Sequence, residues 1–377
     1  MIVSPAWAGD FTVEVFRLRG PGGAADVRQG SGLHFGRLAD RHGLWVACDR
    51  NGEHSAGKFY YVSAATLARA RPGEAVIADE EFAVVAPAGE WAAFVEANRG
   101  AGRDVLEELR KRMTPGANRT DEPYLDLEAI TLAPGIADPS QTHVYAVAEE
   151  PHSAVLELAL EGRGEQARAR LVAVYAYAER PGEFGSVHND GLEGLAWSGE
   201  PGRFYFAEEA TRKLNDEPRS LQLFSLDPRL GVAELKAGRV VPGEPGSEKM
   251  TAAIRGCRKG RMQTLNALTV LRDGRVLAVD RNGGWIDEVD PRNGTARAWL
   301  NLYDLDGVNL REVLADFPRK RNMPYVSIEG LALDDAGAMW LVDDPAMPEG
   351  WRESCLVRIS GPGLARGGAS APAGASP

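Results

Sequence analysis

Cysteine is scarce: only Cys48, Cys257 and Cys355 occur among 377 residues, in no CxxC pair. An odd, widely spaced set argues against a disulfide framework, and the apolar run LWVACD marks Cys48 as a buried thiol. Neither His42 nor Arg50 stands at a spacing that would activate that thiol. Histidine is also rare, at six residues, with no HxxxH or HExxH spacing, which argues against a zinc site. GxSxG, P-loop and dinucleotide-binding glycine patterns are missing, and with them the elbows and phosphate cradles they build. No apolar run approaches the roughly 18 residues that span a bilayer. Basic charge is in deficit: 43 Lys and Arg face 54 Asp and Glu, a net of −11. Such a chain repels polyphosphate and anionic lipid, so neither nucleic acid nor membrane is an expected partner. The first residues carry no positive segment followed by an apolar core, so the expected location is cytoplasmic.

What the chain does have is a repeat. SGLHF (31–35), EAITL (128–132), EGLAW (193–197), NALTV (266–270) and EGLAL (329–333) each open on a polar residue followed by Gly or Ala. We call Ser31, Glu128, Glu193, Asn266 and Glu329 the openers. A turn and a second apolar run follow each, ending on Asp49, Glu149, Glu208, Asp280 or Asp343. The spacings from opener to closing acid are 18, 21, 15, 14 and 14 residues, the length of two short strands and a turn. The turns carry the expected punctuation, as in Asp273-Gly274 and Asp335-Ala336-Gly337.

Further strand-like runs follow each hairpin: KFYYVS and EAVIAD, AVLELAL and ARLVAVYAYA, LQLFSL and VAELKA, WIDEVD and ARAWLNL. The last unit supplies only CLVRIS (355–360), and FTVEVFRL (11–18) is available to complete it. Four strands per unit, with the first strand closing the last unit, predict an all-β fold: one β-propeller of five blades. A sixth blade could occupy 74–124. Residues 89–113, with Val105, Leu106 and Leu109 at helical spacing, predict a helical insertion. The propeller is expected over 1–362, with 363–377 as a disordered Gly/Ala/Ser/Pro tail.

Openers and closing acids belong to the two ends of an antiparallel hairpin that meet, so both gather near one mouth of the axial channel. Clustered carboxylates need protons or a cation, and oxygen-only donors favour a hard one: calcium first, magnesium or manganese behind. The expected ligands are Glu128, Glu193, Asn266 and Glu329, with Asp280, Asp343 or Glu208 as general base. Segments entering the inner strands on that face are basic: Arg258 and Arg261 in RGCRKGRM, Arg319 and Arg321 in FPRKRNMP, and His188 before the third unit. These suit a small anionic substrate; nothing in the sequence marks a protein partner. A plainer reading is also open, in which the small residues are packing devices and the acids face water. Ser31 and His34 stand three apart, which in a regular strand puts them on opposite faces and disfavours a nucleophilic pair.

At SGL (31–33) with LWVACDRN, DLEAITL (126–132), DGLEGLAW (190–197) with FYFAEEA, TLNALTVLRDGRVLAVDRNGG (264–284) and VSIEGLALDDAGAMWLVDDP (326–345), the chain resembles the phytase-like family described as esterase-like activity of phytase. The resemblance implies a β-propeller whose channel suits metal and phosphate, and a hydrolase of phosphoester or ester type. The final motif departs from the family pattern, since Asp343-Asp344 runs into Pro345-Ala346 rather than Asn and an aromatic. The donor set is also similar to that of the regucalcin and gluconolactonase propellers, which implies a sugar lactonase as the alternative enzyme. A non-catalytic ligand- or protein-binding propeller is the third reading.

Overall fold

Short apolar runs separated by Gly and Asp turns become antiparallel strands wherever each can pair on both sides, and here they do so in successive groups of three or four. The computed structural model describes residues 11–23, 27, 29–48, 57–101, 103–113, 125–148, 154–176, 192–208, 221–226, 265–280, 285–292, 295–302, 327–344, 354–361 and 364. Strand β1 (Thr12–Arg19) precedes the first blade. That blade takes β2 (Gly30–Leu38), β3 (Arg41–Cys48) and β4 (Lys58–Ser63), and the chain then continues through α1 (Ala64–Arg69), β5 (Ala75–Ile77) and β6 (Glu80–Val85). Helices α2 (Trp91–Ala97) and α3 (Arg103–Arg112) follow, before the second blade of β7 (Leu127–Pro134), β8 (Thr142–Ala148), β9 (Ala154–Glu161) and β10 (Arg168–Ala176). The third shows β11 (Leu192–Trp197), β12 (Arg203–Glu208) and β13 (Leu221–Ser225). The fourth is β14 (Leu265–Val270), β15 (Val276–Asp280), β16 (Trp285–Asp290) and β17 (Thr295–Asn301). The fifth is β18 (Ser327–Leu333), β19 (Met339–Asp344) and β20 (Cys355–Ser360), with β1 antiparallel to β20 from Thr12↔Ser360 to Arg17↔Cys355.

The inner strands close a ring. β7 packs beside β2, β11 beside β7, β14 beside β11, β18 beside β14, and β18 returns to β2. The fold is therefore a five-bladed β-propeller, and the described residues of 74–124 supply helices and two short strands rather than a sixth blade. Buried clusters fill the seams between blades, with Trp45, Phe59 and Phe82 between the first and second and Phe16, Val46 and Trp340 between the fifth and first. Cys48 and Cys355 are both buried in these seams.

Two assignments differ from the sequence reading. EAVIAD does not supply the fourth strand of the first blade. Its core, β5, pairs parallel to β1 through Leu18↔Val76, widening the fifth blade, while β6 pairs with β4 through Phe59↔Phe82. The chain reaches that edge because Asp79 holds the start of α1, accepting from Ser63 N at 2.7 Å and Thr66 Oγ1 at 3.1 Å. β6 also meets β10 in parallel, which fuses the first two blades into one eight-stranded sheet. The helical insertion is two helices rather than one. Asn98 ends α2 by donating from Nδ2 to Phe94 O at 2.9 Å, and its Oδ1 accepts from Val174 N at 3.0 Å on β10. Phe94, Leu106 and Leu109 then pack into the seam of the first two blades. At the far end Leu364 is buried in the core, past the expected boundary at 362; the rest of 363–377 lies outside the described residues.

The small residue after each opener has a packing reason. A Cβ on Gly32 would lie 2.6 Å from Ala129 Cα and 2.9 Å from Ile130 N, both backbone atoms of the next inner strand. Gly330 meets Leu33 N at 3.0 Å in the same way. Gly32→Val is therefore expected to destabilise the ring by about 1–3 kcal/mol, the usual cost of overpacking against atoms that cannot yield. A urea melt checks it; an unchanged midpoint would show that the inner strands separate freely.

Candidate functional site

Each inner strand carries one extra residue, at the same place in every blade. Partner positions skip between Gly30 and Gly32, Leu127 and Ala129, Leu192 and Gly194, Leu265 and Ala267, and Ile328 and Gly330. The skipped residues are Ser31, Glu128, Glu193, Asn266 and Glu329, the five openers. A β-bulge leaves its extra residue unpaired, bends the strand and re-aims a side chain. Fivefold repetition around a closed ring puts one bulged polar residue on the inner strand of every blade. All five are buried, none more than 5% exposed.

The hub is made of oxygen donors. Asn266 Nδ2 donates to Glu193 Oε2 at 3.3 Å, which ties the third blade to the fourth and turns the amide oxygen away from that contact. Asn266 Oδ1 and Ser31 Oγ have no hydrogen-bond partner among the described residues, although both are buried. Such orphaned oxygens are uncommon in native structures. Glu128, Glu193 and Glu329 are engaged in further interactions of their own. No three His, Cys, Asp or Glu side chains among the described residues converge closely enough to hold an ion by themselves. By residue type the openers offer carboxylate, amide and hydroxyl oxygens, the donors that a hard cation prefers.

The closing acids stand where the hairpin geometry requires. Glu208 pairs with Leu192, Asp280 with Leu265 and Asp343 with Ile328, each opposite the residue before an opener. Asp343 is fully buried, and its Oδ1 accepts from Cys355 N at 2.7 Å. Arg258, Arg261, Arg319, Arg321, His188, Asp49 and Glu149 lie outside the described residues.

A second feature of the channel was missed by sequence reasoning. A cavity of about 50 Å³ lies at the hairpin-turn end of the inner strands, between β2, β7, β11 and β14. His34 and Thr131 line it, with His34 Nδ1 3.3 Å from Thr131 Oγ1. Burial holds the His34 pKa down to about 4, so the imidazole is neutral at neutral pH. The argument that separated Ser31 from His34 assumed regular alternation, and the bulge at Ser31 removes that alternation. The available signal was the shared polar character three residues past the openers: His34, Thr131 and Thr269.

With this geometry in hand, comparison with known proteins is informative at one level. The chain is similar in structure to a luciferin-regenerating enzyme, at 10% identity and a TM-score of 0.39, over 96% of this chain and 98% of that one. It is similar to the PQQ-bound aldose sugar dehydrogenase of Streptomyces coelicolor, at 12% identity and a TM-score of 0.37, over 93% and 99% of the two chains. A glucose dehydrogenase matches at 12% identity and a TM-score of 0.39, over 92% and 99%. No curated protein sequence matches the chain. The family model described as esterase-like activity of phytase matches residues 26–345, which takes in all five openers and closing acids, and the chain belongs to that phytase-like family.

Proposed function

We propose that this propeller is a hydrolase that cleaves a phosphoester or related ester of a small anionic substrate, using a divalent cation at the hub. The single observation that carries this reading is the set of five bulged openers, oxygen donors throughout, of which Asn266 Oδ1 and Ser31 Oγ lack partners. Glu128, Glu193, Asn266 and Glu329 are the assigned ligands, and calcium is the first choice of ion, with magnesium or manganese behind it. A cation held there supplies polarisation of the scissile bond and a more acidic bound water. The chain's own part is orientation and proton transfer. The three openers of carboxylate type fix the hub's charge, while Asn266 adds an oxygen without adding to it. One of Glu208, Asp280 and Asp343, a strand outside the hub, takes the proton from the attacking water. Arg258, Arg261, Arg319, Arg321 and His188 hold the substrate's anionic group, as their place in the segments entering the inner strands suggests.

Calcium titration by calorimetry tests the ligand assignment. One binding event is expected in the parent chain, weakened at least about tenfold in Glu193→Gln and in Glu329→Gln, since a lost charged ligand is worth at least about 1.4 kcal/mol. Unchanged heats in both variants would remove the hub as the binding site. The loaded protein, assayed for phosphate release from aryl phosphates and proton release from sugar lactones, then assigns the ester class.

A further inference from the structure

The turn-side cavity is not part of the hub. Its walls begin two to three residues beyond the openers, at Leu268, His34 and Thr131, which along a strand is about 7–10 Å. At 50 Å³ it exceeds the roughly 10–15 Å³ that one water needs, so it has room for several waters or one small organic molecule. Gly36 makes room for the His34 ring at the cavity wall: a Cβ there would lie 2.7 Å from His34 Nε2 and 3.2 Å from Leu132 Cδ1. Nδ1 of His34 is turned to Thr131, and no described residue bonds Nε2, so one ring nitrogen is left to face a guest.

The chemistry of the walls selects that guest. Thr131 on β7 and Thr269 on β14, both buried residues, offer hydroxyls from the two strands that flank β11. Leu268 and Trp197 offer apolar surface, the indole being fixed by its Nε1 donating to Glu200 O at 2.9 Å. Among the described residues no carboxylate lines the cavity, and the one charged side chain is the exposed Arg37 at its rim. His34 stays neutral, so a bound ion would find no buried counter-charge inside. A molecule with C–H faces and several hydroxyls satisfies both kinds of wall.

We propose that the turn end of the axial channel is a second binding site, separate from the hub, for a small neutral polyol of about glycerol size. His34 Nε2 and the Thr131 and Thr269 hydroxyls hydrogen-bond its oxygens, and Leu268 and Trp197 cover its carbon skeleton. This site goes beyond the hydrolase reading and does not rest on it, because no cation takes part.

Glycerol is the probe, added to the full chain in the presence of a chelator, so that failure of the hub reading leaves this test intact. Long-range proton–nitrogen spectra resolve the ring nitrogens of only six histidines, and His34→Gln assigns the His34 signals. The expected result is a saturable shift confined to His34, unchanged by adding calcium. Thr269→Val keeps side-chain volume and removes one hydroxyl, and is expected to weaken the shift's midpoint about fivefold, the value of one hydrogen bond. A thermal melt of that variant confirms that it is folded. A linear drift shared by all histidines would overturn the proposal, as would a parent-like midpoint in Thr269→Val. Saturation by inorganic phosphate in place of glycerol would overturn the choice of a neutral ligand.

Discussion

Replacing His143 by leucine is expected to destabilise the protein by about 1–3 kcal/mol, the range for leaving a buried hydrogen-bonding group without one of its partners. Glu157 is 1% exposed, deep in the seam between the second and third blades. Its Oε1 lies 2.6 Å from His143 Nδ1 and accepts from Ile136 N at 3.2 Å, and its Oε2 accepts from the Tyr175 hydroxyl. All three donors belong to parts of the second blade or the loop after β7. Tyr145, beside them, donates its own hydroxyl to Pro134 O at 3.1 Å, and burial keeps that phenol far above its ordinary pKa. The network therefore pins the turn between β7 and β8, the same turn whose Pro134 and Thr142 border the channel cavity. Gly135 lets the imidazole in, since a Cβ there would lie 2.9 Å from His143 Nδ1.

The test is in the pattern of costs. Tyr175→Phe removes one donor and is expected to lose about 1–3 kcal/mol. The triple replacement His143→Leu, Glu157→Leu, Tyr175→Phe removes the buried carboxylate itself, so it should cost less than the two single changes added together. Urea melts of the four proteins measure this. Strictly additive losses would mean that these groups merely fill space.

Why this network could not be read from the sequence, while the blades could, comes down to range. A blade is announced locally: alternating apolar residues, an Asp-Gly turn, an opener and a closing acid within 14 to 21 residues. The closing strand was legible because the last unit lacked a partner and 11–18 had the right pattern. His143, Glu157 and Tyr175 lie on three successive strands, and only pairing such as Tyr145↔Glu157 and Glu157↔Ala173 brings them to one face. The bulges were invisible for a different reason. One inserted residue leaves the composition of SGLHF or EGLAL unchanged, and only the register with the next strand shows that it skips at Ser31 and at Glu329. β5 and β6 are two short apolar runs with equal claims on the outer edge of the first blade; contact with β1 decides between them. The openers and closing acids were picked out by spacing, and the burial of the openers and the lack of a partner for Asn266 Oδ1 among the described residues came from the structure.

That unpartnered oxygen permits a sharper experiment than removing a ligand. Asn266→Asp adds a fourth carboxylate to the openers and deletes the amide that donates to Glu193. Without a cation the two carboxylates face each other; at about 4 Å and an effective dielectric near 20, that repulsion is about 4 kcal/mol, an upper bound because one group can take up a proton. In chelator the variant should therefore melt well below the parent. Calcium reverses the sign of the effect, because a cation-binding hub gains from the extra charge. A ligand present at about 100 times its Kd stabilises by about 2.7 kcal/mol, and the variant with the tighter site gains more than the parent at the same calcium concentration. The expected outcome is a gap in melting temperature that is wide in chelator and closes or inverts in calcium. Asn266→Ala, which removes the oxygen without adding charge, should gain less from calcium than the parent does. A scaffold whose openers only pack around the axis has no reason to tell the two conditions apart, and a gap of equal width in both would leave the hub without its ion.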